Sequence, residues 1–194
     1  DSDRDSGIGD MIPGVSLSAD GAKIVFASDS DFLNQGIPNN RREIWLYDTT
    51  TMTYTRITTA SDSNRSVHTC SISPDGTKVV FASDSDYFGQ GIAVGQSEIW
   101  LYDTATMTLT RVTTASDNNR SSFHSSLNTD GTKVAFMSDS DFLGQGNILA
   151  GQAEIWLYDT ATMNVTRVTT SDVAGRESWS PSINSDGSKI AFQS

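Results

Sequence analysis

Cysteine occurs once in the 194 residues, at Cys70, so no disulfide can form within the chain, and no Cys/His spacing suits zinc. No apolar run approaches the roughly 20 residues that a membrane-spanning helix requires. No segment sustains a 3.6-residue periodicity, which predicts helix content near zero. A charged-then-apolar leader is also missing: the chain opens Asp-Ser-Asp-Arg, so secretion would imply a signal already removed. Basic residues are few, 13 against 24 acidic, and the net charge of −11 repels phosphate backbones and anionic lipid. Nucleic acid and membrane insertion are therefore excluded as expectations. With 36% hydrophobic and 19% charged residues, the chain is no disordered polyelectrolyte, and its length suits one domain.

What is abundant is repetition. The string EIWLYD stands at 43–48, 98–103 and 154–159, with spacings of 55 and 56. An x-Asp-Gly corner recurs at Asp20, Asp75, Asp130 and Asp186, with spacings of 55, 55 and 56. The two registers agree, so one unit is copied in tandem. Three whole copies span about 16–70, 71–125 and 126–181, and 182–194 opens a fourth. Residues 1–13 form an N-terminal linker or turn, and 14–194 the repeat segment.

Each copy predicts four short strands. In the second copy they are Ser71-Ile72-Ser73 before a Pro-Asp-Gly turn, the run 78–83, the string 98–103, and 108–113. The long loop 84–97 separates the second from the third. Val79, Val80 and Phe81, then Ile99, Trp100, Leu101 and Tyr102, put bulk on both strand faces. A sheet with one wet face would alternate apolar and polar. Tandem four-stranded antiparallel sheets buried on both faces describe an all-β β-propeller, with Trp45, Trp100 and Trp156 in the interblade core.

The phrase S-x-S-P-D-G-x-K-[IV]-x-F-x-S at 71–83, E-I-W-x-Y-D at 98–103 and T-x-x-x-x-R-[IV]-T at 106–113 resembles the WD40-like PD40 repeat of TolB-type propellers. The likeness covers nearly everything from 14 to 194. It implies secreted or periplasmic propellers that serve as binding scaffolds, or as domains of peptidases and cell-surface proteins. The departure is the insertion between strands two and three, which lengthens each blade from about 40–45 residues to 55.

Three and a quarter blades do not close a ring, since propellers have four to eight. Open blade faces rich in Phe, Ile and Trp exceed the apolar patch a monomer usually exposes. The expectation is a chain that is not a self-sufficient monomer. It would be part of a longer propeller, complete itself with further copies, or repeat along a filament; a separate protein partner is the other expected ligand.

The inserted loops hold the most informative polar pattern. Asp29-Ser30-Asp31, Asp84-Ser85-Asp86 and Asp139-Ser140-Asp141 are each followed by two apolar residues and then an amide and glycine. Clustered oxygen ligands at a sharp turn make Asp29, Asp31, Asp84, Asp86, Asp139 and Asp141 candidate Ca²⁺ ligands, without EF-hand spacing. The competing reading is that the first Asp of each loop caps a turn through backbone amides, while the aromatic plugs the blade and the glycine takes positive φ. A position that varies between blades, holding Pro13, His68, Phe123 and Trp179, marks a candidate ligand position at the channel mouth. Strand-one Ser16, Ser18, Ser71, Ser73, Ser126, Asn128, Ser182 and Asn184 are candidate channel-lining groups. Arg56, Arg111 and Arg167 are expected to pair with Glu43, Glu98 and Glu154 across strands. Sequons stand at Asn64, Asn119 and Asn164, and the Thr-rich turn 49–53 could take O-linked sugar.

Catalytic residues are not expected, nor any cofactor beyond Ca²⁺. His68 and His124 are out of register with each other, and no G-x-S-x-G elbow is present. The leading expectation is a secreted, extracellular or periplasmic, non-enzymatic binding or assembly scaffold. The alternatives are a structural subunit of an extracellular filament or surface layer, and the accessory propeller of a larger hydrolase.

Overall fold

A computed structural model describes residues 14–38, 41–60, 67–115, 120–144, 148, 152–170 and 177–194. The predicted linker 1–13, with Pro13, lies outside these residues, as do Asn64 and Asn119. All described regular structure is strand. The first antiparallel sheet holds β1 (Ser16–Leu17), β2 (Lys23–Ser28), β3 (Glu43–Asp48) and β4 (Thr53–Arg56). The second holds β5 (Val67–Ile72), β6 (Lys78–Ser83), β7 (Glu98–Asp103) and β8 (Thr108–Arg111). The third holds β9 (Ser122–Leu127), β10 (Lys133–Ser138), β11 (Glu154–Asp159) and β12 (Asn164–Arg167). β13 (Trp179–Ile183) and β14 (Ile190–Gln193) pair as the opening of a fourth.

The middle strands form where the sequence places them, because β-branched and aromatic side chains fill both sides of the pleat. The outer two strands differ from expectation. β5 begins at Val67, four residues before Ser71, and its pairing shifts register between Val67 and Cys70. Val67, Cys70 and Ile72 are all buried, yet Val67 and Cys70 are an odd number of residues apart. A bulge absorbs the extra residue and restores the inward phase. β8 stops at Arg111 rather than Thr113, because the N–H groups of Val112 (2.8 Å) and Thr113 (3.4 Å) share one acceptor, the Ile99 carbonyl.

Sheets stack with unlike faces together. Val25, Ala27, Ile44 and Leu46 of the first sheet meet Phe81, Trp100 and Tyr102 of the second. Val80, Ala82, Ile99 and Leu101 of the second meet Phe136, Trp156 and Tyr158 of the third. An aliphatic face thus covers an aromatic face at each junction, and Trp45, Trp100 and Trp156 are fully buried.

The Asp-Gly corners also join neighbouring sheets. Backbone N–H groups of Ala19 and Asp75 donate to the carbonyls of Pro74 (2.7 Å) and Thr129 (3.2 Å) in the next corner. Gly131 takes φ +65°, and the Lys78 stem from the preceding sheet lies over it: a Cβ there would stand 2.3 Å from Lys78 Cγ. Gly21 has a similar φ of +69° with nothing within 4 Å. Both Gly→Ala changes incur the left-handed backbone cost, roughly 1–2 kcal/mol. Only Gly131→Ala must also displace a neighbouring blade's side chain. Urea denaturation should therefore show Gly131→Ala losing at least about twice the stability of Gly21→Ala; equal losses would contradict the packing.

Candidate functional site

The end of each sheet that carries the inserted loop is organised by a buried carboxylate. Glu43, Glu98 and Glu154 begin the third strand of each sheet and are fully buried. Glu98 accepts from Arg111 Nη2 (2.8 Å), from the Thr113 hydroxyl and from the Ala115 N–H (2.8 Å). Glu43 does the same with Arg56 (2.9 Å), Thr58 (2.6 Å) and the Ala60 N–H (3.0 Å). Glu154 binds Arg167 (2.8 Å) and the Thr169 hydroxyl. The expected Arg–Glu pairs all form. Arg56 and Arg111 also donate to Gln35 Oε1 (3.4 Å) and Gln90 Oε1 (3.3 Å) of the inserted loops. The clamp thereby ties the loop to the sheet.

The loop is closed by its own aspartate. Asp31 Oδ1 accepts from Gln35 N (2.8 Å), and Oδ2 from Gly36 N (2.7 Å) and Ile37 N (3.2 Å). Asp86 repeats this with Gln90 (2.7 Å), Gly91 (2.7 Å) and Ile92 (3.3 Å). The Gln35 N–H leads in holding Asp31 below the usual carboxylate range. At Asp86 partial burial pushes the other way, but the amides outweigh it. The first aspartates hold other loops: Asp84 accepts from Gly95 N (2.9 Å) and Asp139 from Ser121 N (2.8 Å). Asp29 is buried, and Asp141 also has an interaction partner. Among the described residues, no three His, Cys, Asp or Glu side chains converge as a metal cage. The turn cap therefore falls on the second aspartate, Asp31 or Asp86, and not on the first as expected, because the chain turns back over the second carboxylate and brings three N–H groups to it.

In the second and third loops the aromatic packs inward, whereas Phe32 of the first loop stays 38% exposed on the open face; in all three the next residue lies outside. Phe32, Tyr87 and Phe142 meet Trp45, Trp100 and Trp156 edge to face at 5.1, 4.9 and 5.0 Å. The following Leu33, Phe88 and Leu143 are 43%, 53% and 46% exposed. Sequence reasoning missed this row, although the Asp-x-Asp-aromatic-apolar order carries the signal.

Of the positions expected at a channel mouth, His68 and Phe123 meet edge to face at 5.7 Å. Trp179 is largely exposed and pairs with Gln193 in β13–β14, with no ring contact to them among the described residues. Burial lowers the His68 pKa; Asp84 opposes this and Arg42 adds to it. Burial also lowers His124, whose backbone is left-handed at φ 46°. The strand-one polar groups are turn and interblade ties more than a channel lining. The Ser18 hydroxyl donates to Asp20 (2.6 Å) and accepts from Lys23 N (2.9 Å), while Ser16 Oγ accepts from Ile72 N (3.2 Å) of the next sheet. Cys70, at the inner edge, is a thiol pushed up to about 12 by burial and is inert.

No protein-family model matches the chain, and no curated protein matches it. Solved structures do. TolB from Acinetobacter baumannii is 26% identical with a TM-score of 0.57, over 92% of this chain and 36% of that one. A putative TolB from Agrobacterium tumefaciens is 20% identical with a TM-score of 0.53, over 96% of this chain and 61% of that one. Porphyromonas gingivalis dipeptidyl peptidase 4 is 14% identical with a TM-score of 0.61, over 98% and 30%. This chain has a TolB-like β-propeller fold. It spans about a third of the first of these structures and three fifths of the second.

The titrations set the sign of the pH response. Lys78 and Lys133 hold Asp103 and Asp159 well below the usual range. Carboxylates depressed in the folded state stabilise it above their unfolded values and lose this as pH falls. His68 and His124, buried neutral, act in the same direction below about 6.5. The thermal unfolding midpoint should therefore fall monotonically from pH 7 to pH 3. A stability maximum near pH 4.3, the isoelectric point, would contradict this.

Proposed function

We propose that this chain belongs to a secreted, extracellular or periplasmic, non-enzymatic propeller that works as a protein-binding and assembly scaffold. The observation that carries the reading is the row of Leu33, Phe88 and Leu143. Each is an exposed apolar side chain that follows an aromatic ring packed on a buried tryptophan, and the loops of Leu33 and Phe88 are pinned by an aspartate cap. An apolar group held on a pinned loop meets a partner with little ordering cost. Repetition once per blade suits a multivalent contact, in which each weak contact raises the effective concentration of the next. Catalysis would require one asymmetric constellation, whereas the Glu clamps and Asp caps recur from blade to blade.

The filament or surface-layer reading has its own support. Phe32 and Tyr54 stack at 4.6 Å and are 38% and 36% exposed on the first sheet. They offer the aromatic half of the junction that the other sheets bury, and Tyr54 stands where Leu109 and Val165, partly buried, pack against the cores. Aliphatic-on-aromatic stacking is a head-to-tail interface, which propagates unless it closes.

Leu33→Ser with Leu143→Ser should keep the fold, with stability within about 1 kcal/mol. In a pull-down of the protein's own extracellular fraction, with retained proteins identified by mass spectrometry, it should lose at least tenfold of its partner. Unchanged retention would overturn the loop-tip surface. By light scattering, wild type should exceed monomer mass and Tyr54→Lys should lower it; a monomeric wild type would sink the assembly arm.

A further inference from the structure

The three copies are nearly alike, and the third departs from the second at a few clustered positions. Several departures meet in a cavity of about 180 Å³ at the loop mouth between the third sheet and β13, lined by Ser121, Phe123, Met137, Asp139, Ala153 and Glu177. In the preceding copy, Phe123 corresponds to His68, Met137 to Ala82, Ala153 to Ser97 and Glu177 to Ser121. The strand registers agree: Met137 pairs with Ile155 as Ala82 pairs with Ile99. The walls have become apolar and one carboxylate has been added.

The carboxylates differ in role. Asp139 holds the loop through Ser121 N (2.8 Å), and its own carbonyl accepts from the Arg120 guanidinium, which also reaches the Ile148 carbonyl (3.0 Å). Glu177 is half-buried and makes no hydrogen bond or ion pair among the described residues. A partly desolvated carboxylate beside Phe, Met and Ala walls is costly unless a cation meets it. The volume is close to the roughly 150 Å³ cavity that holds one benzene in an engineered core. It therefore suits one side chain rather than a drug-sized ligand.

We infer that this cavity receives a single basic side chain, lysine or arginine, presented by a protein partner. The aliphatic stem lies against Met137 and Ala153, Phe123 offers a ring face to the cation, and Glu177 pairs with the charge. The net charge of −11 concentrates basic partners around the mouth. This inference rests on the scaffold reading and names the partner chemistry at one blade.

The test is an NMR titration of the full-length protein with acetyl-Gly-Lys-Gly-amide, read at the Met137 and Ala153 methyl groups. Saturable shifts are expected, at least tenfold weaker with norleucine in place of lysine. Glu177→Ser, which installs the preceding copy's residue, should also weaken binding at least tenfold. Phe123→His, equally native to that copy, should weaken it without unfolding the chain. Equal binding of the norleucine peptide, no effect of Glu177→Ser, or no shift with lysine would each overturn the inference. Loss of lysine binding with partner retention through Leu33 and Leu143 intact would remove this site alone.

Discussion

A carboxylate taken wholly out of water is tolerated only when donors meet its lone pairs, and breaking such a pair costs about 3–5 kcal/mol. Glu43, Glu98 and Glu154 meet that condition, with Glu43 and Glu98 each taking a guanidinium, a hydroxyl and a backbone amide. The clamp ends the outer strand, because Thr113 must turn toward Glu98 instead of extending the ladder. It also reaches the inserted loop, through Arg111 and Gln90. Strand length, rim geometry and loop position thus hang on one buried charge per blade.

Stacking supplies the second level of order. Each sheet has an aliphatic and an aromatic face, so successive sheets meet in one direction only. The lysine stems after the corners reinforce that direction, since Lys23, Lys78 and Lys133 lie over Gly76, Gly131 and Gly187 of the next corner. Lys23 Nζ also donates to Gly76 O (2.9 Å) and Thr104 Oγ1 (3.1 Å), whereas Lys78 and Lys133 pair with Asp103 and Asp159 of their own sheets. Corner glycine and corner lysine are therefore one interblade device. That explains why the corner repeats as faithfully as the core.

Much of this was legible in the sequence, because a tandem repeat states its register more than once. The four-stranded unit, the buried tryptophans and the Glu–Arg pairs followed from spacing and bulk on both faces. The start of the inner strand did not, since a bulge between Val67 and Cys70 breaks the period of two that pattern reading relies on. The strand-one hydroxyls looked like channel lining, yet Ser18 and Ser16 bond a turn and a neighbour, partners that sequence spacing does not reveal. The aspartates of the loop left two readings open, and only the positions of the amides at residues 35–37 and 90–92 favour the cap. The cavity at Phe123 and Glu177 was visible as a single varying position. Its other walls come from three separate segments that only the fold brings together.

The buried glutamate couples the sheet to its rim loop. Native-state amide hydrogen exchange of Glu98→Gln tests this coupling directly. Exchange should accelerate at Ala115 and at the loop amides Gln90, Gly91 and Ile92, while the corresponding amides around Glu43 keep their wild-type protection. Loop amides that keep their wild-type rate while Ala115 opens would contradict the coupling.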